Sequence, residues 1–292
     1  MIKLSRILVP VEFSPRCYGA VQYAEALASR FGSDIVLLHV ISPPKASYNN
    51  LEAMACTDPD EIARDMFRAS SKELEKFPCD APKSAAVRRL VMEGDPACVI
   101  VACAASEACD LIVIPTHGYG PFRRFLLGSV TAKVLHDSRC PVITGPHMEQ
   151  QSDYKDISFR HVAAAFTLGP HSRDVLCYAG KFAGMLGAKL TVIHALPAST
   201  TCLGGFYFDP DWTSQLTRTA HDRIEFLLKD MGLQADIAIE SGDPPDVVRT
   251  VAQKSGVDLV VVGRGSTPHA HGHLPSESYA IVRESPCAVM SL

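Results

Sequence analysis

"RILVPVEFSPRCYGAVQYAEALASRFGSDIVLLHVI", residues 6–41, decides the fold, because the chain says it twice. Residues 161–196 read "HVAAAFTLGPHSRDVLCYAGKFAGMLGAKLTVIHAL". At a constant offset of 155, Pro15 meets Pro170, Tyr23 meets Tyr178, Ala24 meets Ala179, Gly32 meets Gly187 and His39 meets His194. The echo continues downstream. "GDP" at 94–96 returns at 242–244, "CDLIVI" at 109–114 returns as "VDLVVV" at 257–262, and "SRCPVI" at 138–143 returns as "SPCAVM" at 285–290. A repeat of that length marks duplicated domains. The domains are expected at 1–147 and 158–292, joined by the polar stretch "MEQQSDYKDIS" at 148–158.

Each copy alternates two kinds of pattern. "RILVPV" is a short apolar run, and the stretch after it has apolar residues at Ala20, Tyr23, Ala24, Leu27 and Ala28, one face of a helix. "DIVLLHVI" is continuously apolar, as in a strand covered on both faces. A polar helix around 60–76, a strand in "AAVRRLVME", and a helix opened by "GDP" follow, with Asp95 as N-cap and Pro96 at the first helical position. "DLIVIP", "GSVTAKVLHDS" and "CPVIT" complete the copy as strand, helix and strand. The order implies an α/β fold: two tandem domains, each a five-stranded parallel sheet with helices on both faces. Ligands on such sheets bind beyond the carboxyl ends of the strands.

At one such end lies "PTHGYGPFRRFLLGSVTAKVL", residues 115–135. Gly118 lets backbone approach a ligand or take a positive φ. Gly128 and Ser129 precede a helix with apolar residues at Val130, Val134 and Leu135, and Ser129 is expected to cap it. Free N–H groups and the helix dipole there favour an anion. The spacing fits a plain turn and cap equally well. Arg123 and Arg124 reach either a phosphate or only solvent.

The order of elements, with "ILVPVEFS", "LLHVI", "GDP", "DLIVI", then G-x9-G-S before a helix and "CPVI", resembles the universal stress protein family along nearly the whole chain, twice over. The resemblance implies a Rossmann-like fold of the adenine-nucleotide hydrolase type, dimerisation through the last strand, and survival under stress without a well-defined catalysed reaction. The chain is therefore expected not to be an enzyme, slow ATP hydrolysis aside. One branch of that family binds ATP through a G-x2-G-x9-G-S/T loop. Carried onto this chain, the phosphate side falls on Gly118, Gly128, Ser129 and Val130, and the nucleoside side on Pro10, Val11, Glu12 and Val40; His117, just before Gly118, either reaches a phosphate or makes a local hydrogen bond. Two positions depart from the branch. Pro115 stands where the loop has its first glycine, and Glu12 stands where the family has aspartate. Proline brings no N–H and a fixed φ. The expected cofactor is ATP, bound in the first domain at an altered site. The alternative is an interaction module that binds no nucleotide.

The second copy departs further. Its loop, "GRGSTPHAHGHLPSES" at 263–278, is one residue shorter, Pro275 replaces the glycine, and Thr167 fills the acidic position. No ATP is expected there. His269, His271 and His273 share one face if extended, so a metal, with Cys287 or Glu277 as a further ligand, competes with a plain polar loop, and the plain loop is the preferred reading. His39 and His194 lie in apolar strands of both copies, which points to a structural bond to backbone.

The net charge of −4 and the absence of a basic stripe argue against nucleic acid. No run nears the roughly 18 apolar residues of a membrane span. The first residues, interrupted by Pro10 and Glu12, do not read as a signal peptide. A cytoplasmic protein with ten reduced cysteines is expected. The expected partners are the two domains paired as a pseudo-dimer, with a homodimer and a protein partner as further expectations.

Overall fold

The structure is a computed structural model that describes residues 2–42, 59–82, 85–116, 127–145, 148, 157–197, 210–264 and 276–292. The first half runs β1 (Arg6–Pro10), α1 (Pro15–Phe31), β2 (Asp34–Ile41), α2 (Pro59–Lys76), β3 (Val87–Glu93), α3 (Pro96–Ser106), β4 (Leu111–Val113), α4 (Ser129–Asp137) and β5 (Val142–Thr144). The second repeats it as β6 (His161–Ala165), α5 (Ser172–Leu186), β7 (Lys189–Leu196), α6 (Pro210–Asp230), β8 (Asp236–Ser241), α7 (Pro244–Ser255), β9 (Leu259–Val262), α8 (Ser276–Glu284) and β10 (Ala288–Ser291).

Local chemistry sets these boundaries. The Asp95 carboxylate accepts the Cys98 N–H at 3.1 Å and Pro96 opens α3, as the sequence predicts. Gly32 ends α1 at φ 67° and returns its N–H to the Ala28 carbonyl. The predicted face of α1 is buried at every position, with Ala20, Ala24, Leu27 and Ala28 wholly shielded. Gly19 on the same helix is a packing glycine. A Cβ there would stand 1.7 Å from the Met148 carbonyl oxygen, so the absent side chain lets the Met148 backbone lie against α1.

All strands within a half are parallel, in the order β3-β2-β1-β4-β5 and its repeat β8-β7-β6-β9-β10. The halves join because β5 pairs antiparallel with β10, Ile143 opposite Met290, giving one sheet of ten strands. The expected pseudo-dimer is thus a continuous sheet. Alternation along the strands sends Ile7, Val9, Leu37 and Val113 to one face, with α1, α2, α5 and α6, and Leu8, Leu38, Ile112 and Ile114 to the other. Each face carries one apolar core that crosses the seam.

A ladder this short is weak by itself. Side chains on its flanks add the burial. Phe31 meets Phe182 at 5.5 Å, Tyr23 sets its edge against Phe159 at 5.2 Å, and the Arg30 guanidinium lies over the Phe159 ring. Phe182 is fully buried, and a buried aromatic of this kind contributes about 1.5–3 kcal/mol.

Candidate functional site

In each half the chain leaves the first strand in one direction for the second and crosses back to place the fourth on the other side. The point of reversal lies between β1 and β4. At such a reversal point the two loops leave in opposite directions, which is where sheets of this kind place a ligand crevice. Pro10, Val11 and Glu12 leave one lip and Pro115 the other, facing the start of α4.

The β1 lip is firmly held. Val11 gives its N–H to the Leu38 carbonyl at 2.8 Å, and its own carbonyl accepts His39 Nδ1–H at 2.8 Å. His194 repeats that bond to Phe166, the counterpart of Val11, at 3.0 Å. The expectation for these two histidines holds: each ties the strand exit to its neighbour, in a half with the family loop and in one without it. The Phe13 ring stacks on His39 at 4.3 Å, and its backbone takes the left-handed φ of 62°.

Glu12 does not face the crevice as a free acceptor. Its Oε1 accepts the Ser14 hydroxyl at 3.0 Å and its N–H points to Cys17 Sγ at 3.2 Å. The extra methylene over aspartate lets the carboxylate fold back onto its own loop. Val40 lies half-buried on β2, opposite Met92 of β3.

On the β4 lip Pro115 is buried, and its carbonyl accepts the Thr131 hydroxyl at 2.9 Å. Ser278 makes the same bond to Gly263 at 3.1 Å in the second half. The strand-to-helix staple is therefore architecture. Gly128, not Ser129, occupies the N-cap of α4. Ser129 is the first helical residue and makes no cap bond. The Gly128 N–H is committed to the Thr116 carbonyl at 2.8 Å, so it does not serve an anion as the loop pattern implies. The N–H groups of Ser129 and Val130 lie in the first turn, where a helix has no internal acceptors. Gly128 has φ −59° and ψ 144°, which any residue adopts. The backbone alone does not demand a glycine there.

Sequence reading missed Lys133, one turn beyond Ser129 on the same side of α4. Its Nζ lies 3.2 Å from Asp95 Oδ1 and 3.6 Å from Cys98 Sγ. The Cys98 N–H and Lys133 together hold the Asp95 carboxyl down at about 2, and Asp95 in turn raises Lys133. The i, i+4 spacing in "SVTAK" was the available signal.

His117, Gly118, Arg123 and Arg124 lie outside the described residues, as do His269, His271 and His273. Cys287 is buried and its thiol is pushed up to about 11, mainly by burial. Glu277 is exposed on the first turn of α8. The eight described cysteines are free thiols. Among the described residues, His221, Asp222 and Glu225, all exposed on α6, converge closely enough for a metal, and the sequence reading did not single them out. No described helix is long and apolar enough to cross a membrane.

A universal stress protein of Thermus aquaticus is 28% identical over 144 residues, 47% of this chain and 95% of its own. One from Methanocaldococcus jannaschii is 26% identical over 159 residues, covering 49% and 94%. Among the solved structures that match over 99% of the chain are a universal stress protein from Archaeoglobus fulgidus, with 22% identity, TM-score 0.64 and 96% of that chain covered, and a functionally unknown protein from Pseudomonas aeruginosa, with 19%, 0.65 and 92%. At that identity the two structures support the fold alone. The sequence model of the universal stress protein family matches residues 3–144 and again 158–291. The chain belongs to the universal stress protein family and carries the family's domain twice.

Proposed function

We propose that this is a cytoplasmic stress-response protein that binds an adenine nucleotide, ATP or ADP, in its first half alone and catalyses no defined reaction. The observation that carries the reading is Gly128. An N-cap favours Asn, Asp or Ser over glycine by a few tenths of a kcal/mol, and the backbone here accepts any of them. A glycine without a conformational reason, at a helix N-terminus beside the strand reversal, suits close approach by a phosphate to the Ser129 and Val130 N–H groups. Lys133 adds a cation one turn away. Pro10, Val11 and Val40 would border the nucleoside. Glu12 accepts the Ser14 hydroxyl and Asp95 pairs with Lys133, so both carboxylates already carry partners within the chain.

The reading of an interaction module without nucleotide is favoured by different observations. The Gly128 N–H is spent on the Thr116 carbonyl, and the Glu12 carboxylate is turned to the Ser14 hydroxyl. Calorimetry with ATP and ADP separates the two. Gly128→Asp should keep or slightly raise stability, by about 0.5 kcal/mol through a better cap, while abolishing binding. Pro115→Gly should tighten binding by about threefold to tenfold by restoring a backbone donor. A parent chain that takes up no nucleotide, and releases none on denaturation, leaves the interaction module standing.

A further inference from the structure

The internal repeat supplies a control for every surface feature, and one feature differs sharply between the halves. In the first half the groove between the β1–α1 loop and the end of α2 is filled by rings. Phe13 lies 6.0 Å from Phe77, and Tyr18 stacks on Phe77 at 4.6 Å. At the offset of 155 the counterparts of Phe13 and Tyr18 are Leu168 and Arg173. Phe77 follows the buried Leu74 by three residues as Met231 follows the buried Leu228. Three rings are thus replaced by a shorter aliphatic, a cation and a thioether. Arg173 turns to the end of α6 and pairs with Asp230 at 2.6 Å, an ion pair in the place of the Tyr18–Phe77 stack. Beside that ion pair, and lined by Leu168 and Arg173, lies a half-open hollow of about 500 Å³ between the β6–α5 loop and α6.

Its lining states what fits. Leu168, Pro170, Phe226 and Leu227 give it apolar walls, and Phe226, 70% exposed, is the most exposed large apolar side chain among the described residues. The Ser172 hydroxyl is turned inward to the Gly169 carbonyl at 2.6 Å and adds little polarity. Arg173 is held by Asp230, which leaves Arg223 as the rim cation without an ion-pair partner among the described residues. Asp222 on the same rim repels a second negative group. The volume lies within the usual range for small-molecule sites, about 300–1,000 Å³.

We infer that the second half carries a ligand site of its own: the cavity between the β6–α5 loop and α6 binds a small amphipathic monoanion, an aromatic or acyl body with a single carboxylate or sulfonate set against Arg223. The site is separate from the crevice of the first half and does not depend on nucleotide binding there. The second copy, in this view, has exchanged an aromatic plug for a cavity.

The probes are 8-anilinonaphthalene-1-sulfonate and its uncharged relative N-phenyl-1-naphthylamine. The chain has a single tryptophan, Trp212, on α6. At 1.5 Å rise per residue it stands about 21 Å along the helix from Phe226, close enough to pass energy to a naphthalene bound in the cavity. The sulfonate should bind saturably, one per folded chain, with Trp212 emission quenched in step. Arg223→Gln, an exposed change that spares the core, should weaken the sulfonate about fivefold to tenfold and leave the neutral probe nearly unaffected. Leu168→Phe, which restores the first-half residue, should weaken both about tenfold, with the thermal transition retained. Binding that fails to saturate at one per chain, or that ignores both substitutions, overturns the site. A probe signal that tracks chain concentration, together with a sedimentation mass of two chains lost in Phe226→Ser, assigns the face to a second copy and overturns the small ligand.

Discussion

Arg264 Nη2 donates to the Cys140 carbonyl at 2.7 Å, carrying a side chain of the second half into the last turn of the first. The same guanidinium reaches the Ser138 carbonyl at the C-cap of α4, and Ser291 Oγ and O at 3.1 and 3.0 Å. Burial pulls it down to about 10, yet it stays charged at neutral pH. Its counterpart in the first half is Thr116, so the seam is not symmetric. Arg264→Ala should cost about 2–3 kcal/mol, because charge-assisted bonds are lost and buried carbonyls are left without a donor. Urea denaturation measures it. Arg264→Lys should recover only part, since an ammonium does not span the forked set of acceptors. Equal stability of the alanine variant and the parent would refute the seam role.

The hydroxyls of Thr131 and Ser278 should prove equivalent. Each bonds the carbonyl at the exit of the fourth strand of its half, at 2.9 and 3.1 Å. Thr131→Val and Ser278→Ala should each cost about 1–2 kcal/mol and add within a few tenths in the double variant, because the two staples share no partner. Coupling well above that in a denaturation cycle would contradict two independent staples.

Gly19→Ala should destabilise by about 1–3 kcal/mol although alanine favours helices, because the added methyl meets Met148 backbone rather than a movable side chain. Gly184, on α5, has no atom within 4 Å of an added Cβ. Gly184→Ala is the control and should stabilise. If both glycines respond alike, the close approach of residue 148 is not a constraint.

The cap of α3 should be sensitive to acid. The Asp95 carboxyl is held below its ordinary 3.8, at about 2, first by the Cys98 N–H and then by Lys133. A carboxyl with a depressed folded value contributes stability above the unfolded value and loses it as pH falls through the folded one. The stability gap between the parent and Asp95→Ala should therefore be constant above about pH 4 and close toward pH 2. A gap that persists at pH 2 would show that the side chain acts there by packing alone.

The sequence by itself determined the duplication, the α/β alternation and the start of α3. These rest on local rules: a repeat offset, the periods of strand and helix, and an aspartate ahead of a proline. It also marked His39 and His194 as structural, because both copies hold them and only one holds the loop. Other features were decided by tertiary structure. Whether Glu12 faces a ligand depends on a rotamer that reaches Ser14, and whether Gly128 offers its N–H depends on where the Thr116 carbonyl arrives. Arg264 reads as an ordinary loop residue until β10 lies beside β5 and brings Ser138 and Cys140 within reach. The cavity beneath Phe226 shows only when residues more than fifty positions apart, Leu168 and Phe226, are set beside each other and against Phe13, Tyr18 and Phe77. Pattern fixes which face of an element is buried. Only the packed chain fixes which polar groups spend their bonds internally and where volume is left unfilled.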